Sequence, residues 1–105
     1  MLTAKIDASS SGDNTIVSAV AGRRIRVYEY VIVANAAVVV KWRSDTTDIS
    51  GPMNLAAAGY GISTPASNNS LFPVPKLMTA TGEALKLNLG SAVQVGGHMT
   101  YDVVD

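Results

Sequence analysis

The sequence predicts an all-β protein, a sandwich or barrel of about seven or eight strands. Three observations carry this. No stretch sustains a helical period. Turn signals recur at intervals of about 8–12 residues, the spacing of sandwiches and barrels. Between them lie runs of β-branched and aromatic residues or apolar/polar alternations, the period-2 signature of half-buried strands. Neither a long-period repeat nor a dividing linker is visible, and 105 residues suffice for one core without metal or disulfide staples. The expected organisation is an N-terminal arm over 1–13, or a short edge strand with a turn, followed by one domain over 14–105.

The densest strand signal is Arg24 to Ser44, RIRVYEYVIVANAAVVVKWRS. Its one turn-capable break is Asn35-Ala36, which predicts a central hairpin, because asparagine tolerates the left-handed conformation of a tight turn. That register sets Ala34 opposite Ala37, Ile32 opposite Val39, Tyr30 opposite Lys41, Tyr28 opposite Arg43 and Arg26 opposite Asp45 on one face. The other face carries Ile25, Val27, Val31, Val33, Val38, Val40 and Trp42, interrupted only by Glu29. Before it, Asn14 to Val20 reads as a strand closed by Ala21-Gly22. After it, Asp45 to Pro52 is turn-rich, Met53 to Ala58 is a short strand or loop, and Thr64 to Pro75, with three prolines, is the least regular region. Leu85, Leu87 and Leu89, then Val93, Val95, Met99 and Tyr101, alternate with polar residues and predict a second hairpin. A three-residue loop, Gly90-Ser91-Ala92, sets Leu89 opposite Val93. Gly96-Gly97 signals a bulge or a close backbone approach.

Composition narrows the function classes. Eight basic residues balance eight acidic ones, which leaves no net field for nucleic acid or an acidic surface. With no cysteine there is neither a disulfide framework nor a thiolate metal site. No apolar run reaches the ~18 residues of a membrane span, so a soluble protein is expected, without nucleic-acid or membrane partners. Charged residues are 15% of the chain and apolar ones 48%, a balance that points to surface covered in an oligomer or larger assembly.

Chemistry-bearing residues are sparse. His98, the one histidine, falls on the polar side of a strand with no orienting partner, which fits a surface residue better than a general base. Asp13, Asp45 and Asp48 are oxygen ligands by type, but the spacing of a calcium loop is absent and they read as turn formers. Gly59-Tyr60-Gly61 lacks phosphate-loop spacing and reads as a tight backbone passage, and Asn68-Asn69-Ser70 is a chance-level glycosylation sequon. No enzyme activity and no cofactor are expected. Arg23, Arg24, Arg26, Lys41 and Arg43, with Tyr28 and Tyr30, form the one basic and aromatic cluster. It is a solvated face with cross-strand pairs such as Arg26 with Asp45, or a protein interface, where Tyr and Arg are favoured. Glu29 sits at a rim or pairs with an arginine of another strand or subunit.

The stretch NTIVSAVAGRRIRVYEYVIVANAAVVVKWRSDTTDISGPMNLAAAGYG, followed by TATGEALKLNLGSAVQVGGHMTYDVV, resembles a family of small phage virion proteins. The shared order is strand, Ala-Gly-Lys/Arg-x-Ile-x-Val, a Val-rich strand, Trp/Phe-x-Ser/Asp, Leu-x-Gly-x-Met-x-Leu, Gly-Glu-Ala-Leu-x-Leu-Asn-Leu and Val-x-Val-x-Gly. It covers most of residues 14–104 and consists of fold residues. The resemblance implies a head decoration protein: a jelly-roll-like antiparallel β-sandwich that forms a homotrimer on the major capsid protein. Such a protein is made in the bacterial host cytoplasm and resides on the capsid surface of the virion. Related modules occur in phage tails and fibres, so the alternative is a receptor- or glycan-binding module with Tyr60 and Phe72 as its aromatic platform. No catalytic residue carries over. On this reading Arg26, Tyr28, Tyr30, Lys41 and Arg43 are the subunit-interface candidates, and Lys5, Ile6 and Asp7 in the arm are the capsid-contact candidates.

Overall fold

The computed structural model describes residues 2–64 and 74–105. They form ten strands: β1 (Leu2–Ala8), β2 (Gly12–Val17), β3 (Arg24–Ala34), β4 (Val38–Ser44), β5 (Thr47–Asp48), β6 (Met53–Leu55), β7 (Gly61–Ser63), β8 (Leu77–Met78), β9 (Leu85–Leu89) and β10 (Val95–Val104). All pairing is antiparallel, in two sheets packed face to face. The first runs β1-β10-β3-β7, with β8 further along the same edge of β3; the second runs β2-β9-β4-β5, with β6 beside β5 on β4. The expected all-β sandwich is therefore the fold.

Both expected hairpins are corrected. β3 pairs with β10 and β4 with β9, so neither β3–β4 nor β9–β10 is a ladder. Each pair is an arch, whose two strands lie in opposite sheets and meet through side chains. The physical reason lies at the turns, where the two arches sit side by side and satisfy each other's backbone groups. Asn35 N–H donates to the Gln94 carbonyl at 3.0 Å, and Gly90 N–H to the Val39 carbonyl at 2.8 Å. A two-residue hairpin does form at Asp45-Thr46, where Ser44 pairs with Thr47 and Asp45 takes a φ of 48°. Asp45 is thus the turn former its type suggested.

The arm over 1–13 is also corrected: of the two alternatives, the edge strand is realised. β1 pairs with β10 along its whole length and places Ile6 and Ala8 in the core, and β2 pairs with β9. Lys5 and Asp7 made the segment look like a solvated arm because they are the outward half of an alternating strand.

The face assignment of β3 changes at a bulge. Tyr101 pairs with Val27 and Thr100 with Glu29, which leaves Tyr28 as an extra residue and shifts the alternation by one. Ile25 and Val27 point inward before it; Tyr30, Ile32 and Ala34 do so after it. Hence Val31 and Val33, expected in the core, face outward, and Glu29 leaves the apolar face without needing a buried partner. In β4 the expected inward residues Val38, Val40 and Trp42 are buried. Tyr30 meets Trp42 across the sandwich edge to face, with ring centroids 5.1 Å apart.

Gly96-Gly97 resolves as a close approach rather than the bulge. A Cβ on Gly97 would lie 1.7 Å from the Val31 carbonyl oxygen, whereas one on Gly96 would meet nothing nearer than 3.9 Å.

Candidate functional site

The five subunit-interface candidates do not share a face, because they were joined through a hairpin that is an arch. Arg26 and Tyr28 belong to the outer side of the first sheet. Lys41 and Arg43 belong to the outer side of the second, across a sandwich about 10 Å between sheets. Tyr30 is buried between them.

On the first sheet, Arg26 and Tyr28 converge on Asp102, which sits opposite Arg26 in β10. The guanidinium donates through Nε to Oδ1 at 2.9 Å and through Nη2 to Oδ2 at 2.8 Å, a bidentate pair. Tyr28 OH donates to Oδ2 at 2.9 Å, and Arg26 Cζ lies 5.7 Å from the Tyr28 ring centroid. The hydrogen bonds from Arg26, more than those from Tyr28, hold the Asp102 carboxyl below the usual carboxylate range against the opposing effect of burial. The Asp102 carboxylate in turn raises the Arg26 pKa, and burial, then the bond to Asp102, raises that of Tyr28. Arg26 therefore pairs with Asp102, not with Asp45. Sequence reasoning missed Asp102, although its alternation had already placed it on the polar side of the last strand.

The rest of this outer face carries Lys5, Asp7 and Glu29 among apolar and glycine positions. Rows across it read Asp7, Gly96, Val33, Gly61 and then Lys5, His98, Val31, Ser63. Val33 therefore stands between two glycines and is 42% exposed, and Tyr60 beside β7 is 55% exposed. His98 is exposed, with Lys5 and Val31 rather than a carboxylate as its cross-strand neighbours. Gly59-Tyr60-Gly61 is the tight passage expected: a Cβ on Gly61 would lie 2.4 Å from the Ile32 carbonyl oxygen.

The outer face of the second sheet is a charge ladder. Arg43 pairs with Asp13 at 3.2 Å and with Asp48 at 2.9 Å, Lys41 with Asp48 at 3.1 Å, and Lys86 with Asp45 at 3.8 Å. Asn88 donates to Asp13 at 2.8 Å. Burial pushes the Asp13 carboxyl up, but the hydrogen bonds from Asn88 and Arg43 outweigh it and leave its pKa lowered. Each of the three aspartates weighed as cation ligands thus carries a basic partner. Among the described residues no group of three or more histidines, cysteines or carboxylates is placed to hold a metal.

Of the capsid-contact candidates, Ile6 is 2% exposed and belongs to the core, while Lys5 and Asp7 are exposed on the edge strand. Asp7 Oδ1 accepts from Gln94 Nε2 at 2.7 Å. The Gly-Glu-Ala-Leu motif serves the fold. Gly82 turns with a φ of 76°, and Glu83 accepts from Ser44 Oγ at 2.5 Å. These two side chains line a cleft of about 430 Å³ with Arg24 and Thr79. The Asn68-Asn69-Ser70 sequon and Phe72 lie outside the described residues. No family model, no curated protein and no solved structure matches this chain.

Proposed function

We propose that this protein is a non-enzymatic structural protein of a phage virion, a homotrimer that decorates the outside of the head and stabilises it by bridging subunits of the major capsid protein. The observation that carries the reading is the path of the chain. With β5 and β6 counted as one strand along β4, and β7 and β8 as one along β3, the sheet orders become 1-8-3-6 and 2-7-4-5. On that count the order supports the eight-stranded jelly roll that this reading expects, an architecture frequent in viral capsid domains. The composition agrees, since a chain with 15% charged residues gains from covering surface on a shell.

The two outer faces differ in a way that assigns roles within this proposal. The second sheet's face has its charges already paired to one another, so docking there would strip water from ion pairs that gain no new partner. The first sheet's face offers Val31 and Val33 over glycine-lined ground, flanked by Lys5, Asp7 and Glu29, which are in no ion pair among the described residues, and this is where the shell contact is proposed. Jelly rolls also include lectins, and exposed Tyr60 keeps the tail or fibre glycan-binding alternative in the comparison.

Co-sedimentation with heads stripped of the protein tests the reading, with light scattering of the same preparation for oligomeric state. Saturable binding to heads by a trimer is expected, lost in Val33→Asp with folding retained. Binding to host cells or glycans with none to heads would replace it with the alternative.

A further inference from the structure

A two-sheet sandwich exposes four strand edges, each a row of unpaired backbone donors and acceptors that invites pairing with another chain. Among the described residues three of the four are blunted by means that edge strands commonly use. The edge formed by β7 and β8 has strands of three and two residues, and that formed by β5 and β6 has strands of two and three. β2 has six residues, but its register against β9 breaks between Thr15 and Val17. β1 is different. It keeps seven consecutive pairs with β10, from Leu2 with Tyr101 to Ala8 with Val95, with no bulge, and among the described residues it pairs with no other strand.

The two charges on this edge, Lys5 and Asp7, have no ionic partner among the described residues, and Asp7 uses one carboxylate oxygen on Gln94. Both point to the outer side of the sheet, so they discourage an unmatched strand and admit one that sets an opposite charge beside each of them.

We infer that β1 pairs antiparallel with β1 of a second copy of this chain across a two-fold axis, with Ile6 opposite Ile6 and Lys5 of each copy opposite Asp7 of the other. Charge selects this register. Pairing must keep core-facing residues on one side, so only registers in steps of two are available. Centring on Lys5 sets lysine against lysine, and centring on Asp7 sets aspartate against aspartate. Centring on Ile6 gives two opposite-charge pairs, one on each side of the axis, and aligns Ala4 with Ala8 on the core side. The first sheet then continues from one molecule into the next. The contact is isologous and uses a different surface from the shell-facing side proposed above.

Sedimentation velocity over a range of concentrations tests it, on the wild type, Lys5→Asp, Asp7→Lys and the double swap, each checked by circular dichroism for an unchanged fold. The wild type should pass from three chain masses to six as concentration rises, two of the proposed trimers joined across β1. Each single swap brings like charges together and should weaken association by about tenfold or more, halving the mass at intermediate concentration. The double swap restores opposite charges and should regain most of the association, a result that a merely structural role for either residue would not give. A wild type that never shows an even multiple of the chain mass, single swaps that associate as wild type, or a double swap no better than the singles would each overturn the inference. Head binding that survives the loss of pairing would leave the shell reading standing.

Discussion

Adjacent glycines in β10 should respond in opposite ways to one methyl group. Gly97 pairs with Ile6 on one side and Ile32 on the other, in the middle of the first sheet. An alanine Cβ there would lie 1.7 Å from the Val31 carbonyl oxygen and 2.8 Å from its carbon, both backbone atoms that no rotamer change can move. Relieving the overlap requires β10 and β3 to separate by more than 1 Å, which disturbs their ladder on both sides of the site. Overpacking that side chains relieve costs about 1–3 kcal/mol, so a backbone clash should reach ~3 kcal/mol or more. For a domain near this size that lowers Tm by roughly 10 °C or more. Gly96→Ala is the control, because its Cβ would meet nothing closer than 3.9 Å. Its expected effect lies between neutral and a gain of ~1 kcal/mol from the less flexible unfolded chain. Urea and thermal unfolding of the two variants beside the wild type measure both. Equal stabilities for Gly97→Ala and Gly96→Ala would refute the close β10–β3 approach and the register from which it follows.

Two further substitutions test other parts of the structure. Asp102→Asn should cost about 1–2 kcal/mol at pH 7, a bidentate charge-assisted bond discounted because both partners remain partly exposed. The Asp102 pKa is lowered on folding, so its contribution is complete above the unfolded carboxyl pKa of about 4 and disappears as pH falls through the lower folded value. Denaturant midpoints for wild type and variant should therefore stay apart above about pH 5 and draw together as pH falls below the unfolded carboxyl pKa of about 4; a constant gap would rule out the ion pair as the cause. Ile6→Ala should cost ~2–4 kcal/mol because Ile6 is a core residue, whereas a solvated arm would lose almost nothing in the same unfolding experiment.

Fold class and strand positions were legible in the sequence because they depend on local period. Leu85–Leu89 is a strand at the bounds its alternating leucines mark, and Val38, Val40 and Trp42 face inward as read. Strand partners were not legible, since a hairpin and an arch share the same local signals. Asn35-Ala36 suits either, and the choice was made by Gln94 and Val39, whose carbonyls receive the turn amides of the neighbouring arch. The interface cluster scattered for the same reason: Lys41 and Arg43 lie near Tyr28 only if β3 and β4 share a sheet. One missed feature left only a partial trace. Glu29 interrupts an otherwise apolar alternation in β3, and the buried positions change from odd to even numbers around it at the bulge beside Tyr28, a change that the apolar Val31 and Val33 conceal in the sequence. For Lys5 to Asp7, mixed polarity fitted an arm and an edge strand equally, and long-range pairing with Gly96 to His98 decided it.

Stabilisation of the head by binding is the central functional claim, and heat-induced release of packaged DNA measures it most directly. A protein that binds the intact shell and not the ruptured one raises the energy needed to rupture it. Stripped heads given the purified protein should release their DNA at a higher temperature than bare heads. The shift should saturate when the binding sites are filled and be absent with Val33→Asp. A release temperature that stays the same at saturating protein would contradict the claim.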